Sequence, residues 1–252
     1  MIFLLGHKGF IGSAIAEYLG SENIDFVGID RNNYNDYIEK ACDIFINAGG
    51  SSRKRLAEED PKKDFELNVL SVLNTTLDFK FGKYLLISSI DVYNDVSDER
   101  NNSEGALINP RNLSNYGFSK WLCEQIVMKY CNEWLILRLG GMVGKGLKKN
   151  AVFDLITSKS LYVNPLSEYQ YMNTLEVARL LWKLRNRKND VFNVCGDGTI
   201  KLEDIAKQLG ISLDRRLYSL PKQKYSISIS KVQEYENVET TEKAVFDFVA
   251  KI

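Results

Sequence analysis

The sequence contains one histidine, four cysteines and four prolines in 252 residues, and its 33 Lys and Arg are balanced by 33 Asp and Glu. His7 alone, with Cys42, Cys123, Cys131 and Cys195 scattered and no C-x-x-C pair, supplies no ligand set for zinc, so no metal is expected. Cysteines so placed in a chain of this size read as reduced, buried thiols. Zero net charge excludes a strongly basic nucleic-acid binder driven by bulk electrostatics. Four Pro and 17 Gly exclude collagen-like or proline-rich linker architecture. No apolar run approaches the ~18 residues of a membrane span. The apolar opening Met1–Leu5 stops at Gly6 and lacks the basic stretch of a leader peptide. The expected location is the cytoplasm, with neither membrane nor nucleic acid as partner.

What is present is ordinary globular composition, 44% hydrophobic and 26% charged, in one large domain or one domain with a small appendage. Short apolar runs at Ile2–Leu5, Phe26–Ile29, Ile44–Ile46, Tyr84–Ile87, Leu135–Leu139 and Val191–Val194 read as strands. Phe10–Leu19, Phe65–Leu77, Phe118–Tyr130, Thr174–Arg185, Leu202–Leu209 and Thr241–Val249 carry helical spacing. Continuous apolar strands alternating with helices predict an α/β fold, a doubly wound parallel sheet of the Rossmann kind. After Gly140 the pattern loosens. The expected division is a dinucleotide-binding domain from 1–144 plus 171–195 and a small substrate-binding lobe from 145–170 plus 196–252.

Three motifs carry chemistry. Gly6-His-Lys-Gly9-Phe-Ile-Gly12 follows the first strand and opens the first helix. Glycine permits a tight turn and close approach of a pyrophosphate, and the helix N-terminus offers free N–H groups. Asp30, 24 residues further at the end of the second strand, is placed for the hydroxyls of an adenine ribose. That carboxylate repels a 2′-phosphate and favours NAD. Lys8 and Arg31 can meet a 2′-phosphate, which keeps NADP open. Tyr116-Gly-Phe-Ser-Lys120 sets a phenol and an ammonium on one helix face. An adjacent ammonium favours the phenolate and makes the Tyr a usable base. Leu85-Leu-Ile-Ser88-Ser89 is an apolar strand ending in hydroxyls, where ligands of parallel sheets sit.

These motifs, with others in order, resemble the extended branch of the short-chain dehydrogenase/reductase superfamily, the NAD-dependent epimerase/dehydratases that mostly modify nucleotide-linked sugars. Gly6–Gly12 matches G-x-x-G-x-x-G, Ser88-Ser89 with Val92-Tyr93 matches S-S-x-x-V-Y, and Tyr116 to Lys120 matches Y-x-x-x-K. Asp43–Ala48, Asn68-Val69 with Asn74, Arg138–Gly144, Tyr171–Ala178 and Phe192–Gly196 are similar to further family segments. The resemblance implies that Tyr116 is the general acid/base, that Lys120 lowers its pKa and holds the nicotinamide ribose, and that Ser89 orients the reacting oxygen. It implies dinucleotide binding by Gly6, Lys8, Gly9, Phe10, Ile11, Gly12, Asp30 and Arg31, by the backbone of Ala48 and Gly49, and by Asn68, Tyr116 and Lys120. The implied reaction is hydride transfer between NAD(P) and a secondary alcohol or ketone carbon of a sugar, nucleotide-activated by the same resemblance. A C4-type epimerase that retains its NAD, and a dinucleotide-sensing module without catalysis, are the alternatives. A homodimer through the helices Phe65–Leu77 and Phe118–Tyr130 is the implied assembly.

The departures narrow this. The 4,6-dehydratases read S-T-D-E-V-Y, and Ile90 here removes the acid, which argues against loss of water. Asp91 reads as an ordinary surface carboxylate. Gly6-His-Lys-Gly9 resembles the G-H-R-G of GDP-fucose synthases, but Ile90 and the lone His7 remove the Cys and His of their double epimerisation. Asn94 stands where the family has Gly. The chain is short for the family, so its substrate lobe is trimmed.

Overall fold

The computed structural model describes residues 1–157 and 161–251. Residues 158–160 and 252, all assigned above to the substrate lobe, lie outside the described residues.

Six strands make the central sheet: β1 (Ile2–Leu5), β2 (Phe26–Ile29), β3 (Ala41–Asn47), β4 (Lys80–Ser89), β5 (Trp134–Leu139) and, later in the chain, β9 (Asp190–Val194). Their order is β2-β1-β3-β4-β5-β9 and every pairing is parallel. Each strand carries a continuous apolar stretch because both sheet faces are covered. Ile2, Leu4, Leu85, Ile87, Leu135 and Leu137 point into one core. Phe3, Leu5, Tyr84, Leu86 and Ile136, one residue out of step, point into the other. Fully burying such a side chain contributes about 1.5–3 kcal/mol.

Helices α1 (Phe10–Ser21) and α7 (Thr174–Leu184) pack together on the first face. On the second lie α2 (Lys54–Glu59), α3 (Pro61–Phe65), α4 (Ser71–Asp78) and α5 (Asn115–Tyr130). The periodicity at Phe65–Leu77 predicts one helix. In the structure, α3 and α4 are joined through a π-helical turn, Glu66–Leu70. The start moves back because Asp60 caps it, its carboxylate accepting from the Lys63 N–H, with Pro61 in the first turn.

Beyond the sheet, β6 (Gly141–Val143) pairs in parallel with β8 (Tyr171–Asn173), both within the stretches expected to belong to the dinucleotide-binding domain, and β7 (Glu168–Tyr169) pairs antiparallel with β10 (Ile200–Lys201), both within the expected lobe. With α6 (Ala151–Ile156), α8 (Leu202–Gln208) and α10 (Thr241–Val249) these enclose a third core of Val143, Val152, Tyr171, Leu202, Ile205 and Val245. The stretch before α10, including α9 (Ser230–Gln233), departs from the expected division: Ile227, Ile229 and Val232 are buried in the sheet's own core. The physical reason is polar as well as apolar. Asn102 donates to the Ser226 carbonyl and accepts from the Ser228 N–H, and Asn193 donates to the Ser228 carbonyl.

Among the described residues no helix is long and apolar enough to cross a membrane, and no group of three or more His, Cys, Asp or Glu could hold a metal ion. All four cysteines are buried and free.

Candidate active site

The Gly-rich turn follows β1 directly. Gly6 has φ +80°, in the left-handed region that favours glycine. At Gly12 a Cβ would stand 2.1 Å from the Gly6 carbonyl oxygen, so no larger residue fits. Gly9 caps α1 with no side-chain hydrogen bond, leaving the first-turn N–H groups of Phe10, Ile11 and Gly12 free of a side-chain partner. This closed cradle, at the positive end of a 12-residue helix, fits the pyrophosphate of a dinucleotide. His7 is accounted for structurally: its ring lies over Gly28, and its Nδ1 is 3.3 Å from the Ile29 carbonyl oxygen.

Asp30 follows β2 directly, but it does not stand alone. Lys8 Nζ donates to its Oδ2 at 2.6 Å, and the Asn32 N–H donates to Oδ1 at 2.8 Å. The Lys8 contact, then the backbone one, holds the carboxyl below its ordinary pKa. The opposition expected between Asp30 and Lys8 is an ion pair within one site, and Arg31 beside them is exposed.

Beyond β3, Gly49 donates its N–H to Asn47 Oδ1 at 2.9 Å. Asn68, in the π-helical turn, accepts from the Ser51 N–H at 2.9 Å and donates to Asp64 at 2.8 Å. It thus moors the loop of Ala48 and Gly49 to the helix pair, and π-turns recur at functional sites.

Ser89 ends β4. Tyr116 and Lys120 lie on the first turns of α5, whose N-terminus is capped by Ser114 accepting from the Gly117 N–H at 3.1 Å. Gly117 brings the groups together. A Cβ there would sit 2.2 Å from the Asp91 carbonyl oxygen, so only glycine lets α5 touch the turn after β4. Tyr116 and Lys120 are both buried. Lys120 Nζ donates to the Ile87 carbonyl at 2.9 Å.

The expected lowering of the Tyr116 pKa is not what this geometry gives. Burial, then the charge of Asp91, pushes the phenol up, while neighbouring Ser89 acts in the opposite sense. Asp91 itself is not an ordinary surface carboxylate. Its side chain is 15% exposed, it accepts from Ser89 Oγ at 2.9 Å, and it takes Lys54 Nζ at 2.7 Å. Desolvation opposes the charge on Lys54, but Asp91 and Tyr225 together outweigh it and the ammonium pKa is raised. Lys54 Nζ also lies 5.3 Å from the ring centroid of Tyr225. Sequence reasoning missed Lys54 and undervalued Asp91. Asp91 did carry a signal, its place two residues after Ser89.

A buried polar network supports this corner. Ser88 donates to Glu124 at 2.6 Å, Arg138 grips Glu124 and donates to the Tyr93 hydroxyl at 2.8 Å, and Tyr93 donates to Asn193 at 2.8 Å. One connected set therefore ties β4, α5, β5 and β9.

Comparison with known proteins agrees with this architecture. A family model described as the NAD dependent epimerase/dehydratase family matches residues 2–195. A protein of Methanocaldococcus jannaschii, named as a candidate UDP-glucose 4-epimerase, is 24% identical, the match covering 77% of this chain and 76% of that one. Among solved structures, a UDP-glucuronic acid 4-epimerase variant from Bacillus cereus, in complex with a fluorinated UDP-sugar and NAD, has a TM-score of 0.80 at 17% identity over 99% of both chains. The dTDP-4-dehydrorhamnose reductase of Bacillus anthracis, in complex with NADP, has a TM-score of 0.77 at 16% identity, over 100% of this chain and 98% of that one. With the match running from β1 through β9 and its glycine cradle, Ser89 and Tyr116–Lys120 inside it, the chain belongs to the NAD-dependent epimerase/dehydratase family.

Proposed function

We propose that this protein is an NAD(P)-dependent oxidoreductase that moves a hydride to or from a secondary alcohol or ketone carbon of a nucleotide-activated sugar. What supports this is that Ser89 ends β4, that Lys120 donates to the Ile87 carbonyl of the same strand, and that Ser89 acts on the Tyr116 phenol, in the sheet whose first turn is the glycine cradle. The residues present fit a dinucleotide. The first turn of α1 and Gly6–Gly12 would hold its pyrophosphate, the Asp30–Lys8 pair its adenine ribose, the Ala48–Gly49 backbone its middle, and Lys120 its nicotinamide ribose. Bound there, the dinucleotide supplies the hydride acceptor or donor.

The chain's own part is proton handling and orientation. Tyr116 gives a proton to the reacting oxygen or takes one from it. Ser89 fixes that oxygen by a hydrogen bond, and Lys120 supplies positive charge beside the phenol. Burial of Tyr116 and Lys120 keeps bulk water from competing.

A second reading, a C4-type epimerase that keeps its NAD, is favoured by the name of the M. jannaschii relative. It uses the same three residues. A homodimer belongs to the same proposal: Phe65, Leu67, Leu70, Leu77, Phe118 and Tyr130 on the α3–α5 layer are large apolar side chains left exposed.

The test is to denature purified protein, identify any released dinucleotide by mass, and assay wild type and Tyr116→Phe with UDP- and dTDP-sugars. Stoichiometric NAD supports the epimerase, and exchangeable NAD(P)H supports the oxidoreductase. Turnover that survives in Tyr116→Phe sinks both.

A further inference from the structure

Ser89 has one proton, and in this structure it is committed. Ser89 Oγ donates to Asp91 Oδ2 at 2.9 Å and accepts from the Asp91 N–H at 3.2 Å. Ser89 also acts on Tyr116 in the sense that favours the phenolate, so Asp91 and Tyr116 compete for this one proton. The other Asp91 oxygen is held at 2.7 Å by Lys54, which comes from 37 residues away in sequence. A turn cap alone needs only the Asp91 N–H and the Ser89 oxygen. The carboxylate and its distant lysine are additional.

We propose that Asp91, fixed by Lys54, is a positioning residue that holds the Ser89 proton away from Tyr116 in the free site and so keeps the Tyr116 phenol protonated before substrate arrives. The proposal rests on the reading of Tyr116 as acid/base and adds to it the protonation state in which the site waits. Asp91 makes and breaks no bond, and it leaves the balance between the two directions of the reaction unchanged.

Two effects act together. The negative charge of Asp91 disfavours a phenolate beside it. A phenolate would also need the Ser89 proton as a hydrogen bond, and Asp91 competes for that proton. The other groups facing Tyr116 do not replace this control. Asp64 of α3 is a buried carboxylate whose charge acts on Tyr116 less than that of Asp91. Glu58 of α2 is occupied by the Asn115 N–H and side chain. On α5, Cys123 is a neutral thiol pushed up to about 11, and Lys120 is engaged with the Ile87 carbonyl. Lys54 offsets part of the Asp91 charge, so it sets how strongly Asp91 acts.

The experiment reads the phenol directly and needs no substrate. Protein labelled with ¹³Cζ-tyrosine is saturated with NAD⁺, or with NADP⁺ in parallel, and titrated by NMR. The Tyr116 resonance is identified by its loss in Tyr116→Phe. Asp91→Asn is expected to lower the Tyr116 midpoint by about one pH unit or more, the usual reach of a neighbouring charge. Lys54→Met is expected to raise it, and Lys54→Arg to leave it at the wild-type value. A wild-type midpoint above the accessible range with the Asp91→Asn midpoint inside it is the same result. An Asp91→Asn midpoint equal to or above wild type, or Tyr116 silent to pH 11 in both, overturns the proposal. If Asp91→Asn does not fold, Lys54→Met decides, since an unshifted or lowered midpoint there also overturns it. Failure of the sugar assay would sink the proposed reaction while leaving this order of midpoints to stand or fall separately.

Discussion

Arg138 grips Glu124 through two hydrogen bonds, Nε to Oε1 at 3.1 Å and Nη2 to Oε2 at 2.7 Å, with both side chains shut away from solvent. The pair joins β5 to α5, and α5 carries Tyr116 and Lys120. Truncating one partner strands the other charge in the core, so Arg138→Met should cost about 3–5 kcal/mol of folding stability. The double variant Arg138→Met/Glu124→Met should cost less than the two single losses added. Urea denaturation of the three variants checks this.

Gly12→Ala should abolish dinucleotide binding. The added Cβ would meet the Gly6 carbonyl 2.1 Å away, and the turn must open to admit it. The measurement is a fluorescence titration with NADH and NADPH. Undiminished affinity would mean that the turn has no part in binding.

Cofactor preference should respond in opposite directions to the two partners of one ion pair. Lys8→Ala leaves Asp30 bare and should weaken NADPH relative to NADH by roughly tenfold. Asp30→Ala frees the Lys8 ammonium and should shift the ratio towards NADPH. Paired dissociation constants at fixed salt decide, since the pair is solvent-accessible and screened.

The thiols should be silent in the folded protein. Burial pushes Cys42 and Cys123 up to about 11 and Cys131 up to about 12, and burial raises Cys195 as well. The reactive form is the thiolate, so at pH 8 a thiol with a pKa near 11 offers about one molecule in a thousand. Ellman's reagent should therefore find four thiols in urea and none that react quickly in native protein.

If the exposed apolar residues of α4 and its neighbours pair two copies, Leu77→Glu should shift sedimentation from a dimer to a monomer. Leu77 is 58% exposed, so the monomer should keep its fold and its stability.

The sheet was legible in the sequence because coverage on both faces turns each strand into an uninterrupted apolar run. All six runs became strands in one parallel sheet. The glycine cradle and the Tyr116–Lys120 spacing were legible because they are local. The π-turn at Glu66–Leu70 was not, since it preserves apolar residues while shifting the register by one. The lobe strands of two or three residues are too short to show a period. Lys54 and Asp91 meet across 37 residues, and nothing in local pattern announces a pair closed by the fold.

The threading of Ser226–Ser228 past Asn102 and Asn193 bears on how separable the molecule is. The family match ends at residue 195, yet a protein cut there would strip Ile227, Ile229 and Val232 from the sheet and take from two interior amides the bonds they make to Ser226 and Ser228. The half built on the sheet is therefore not a portable cassette. Its last wall is supplied by residues 226–232, made after the lobe has begun, and that half cannot close until those residues have left the ribosome.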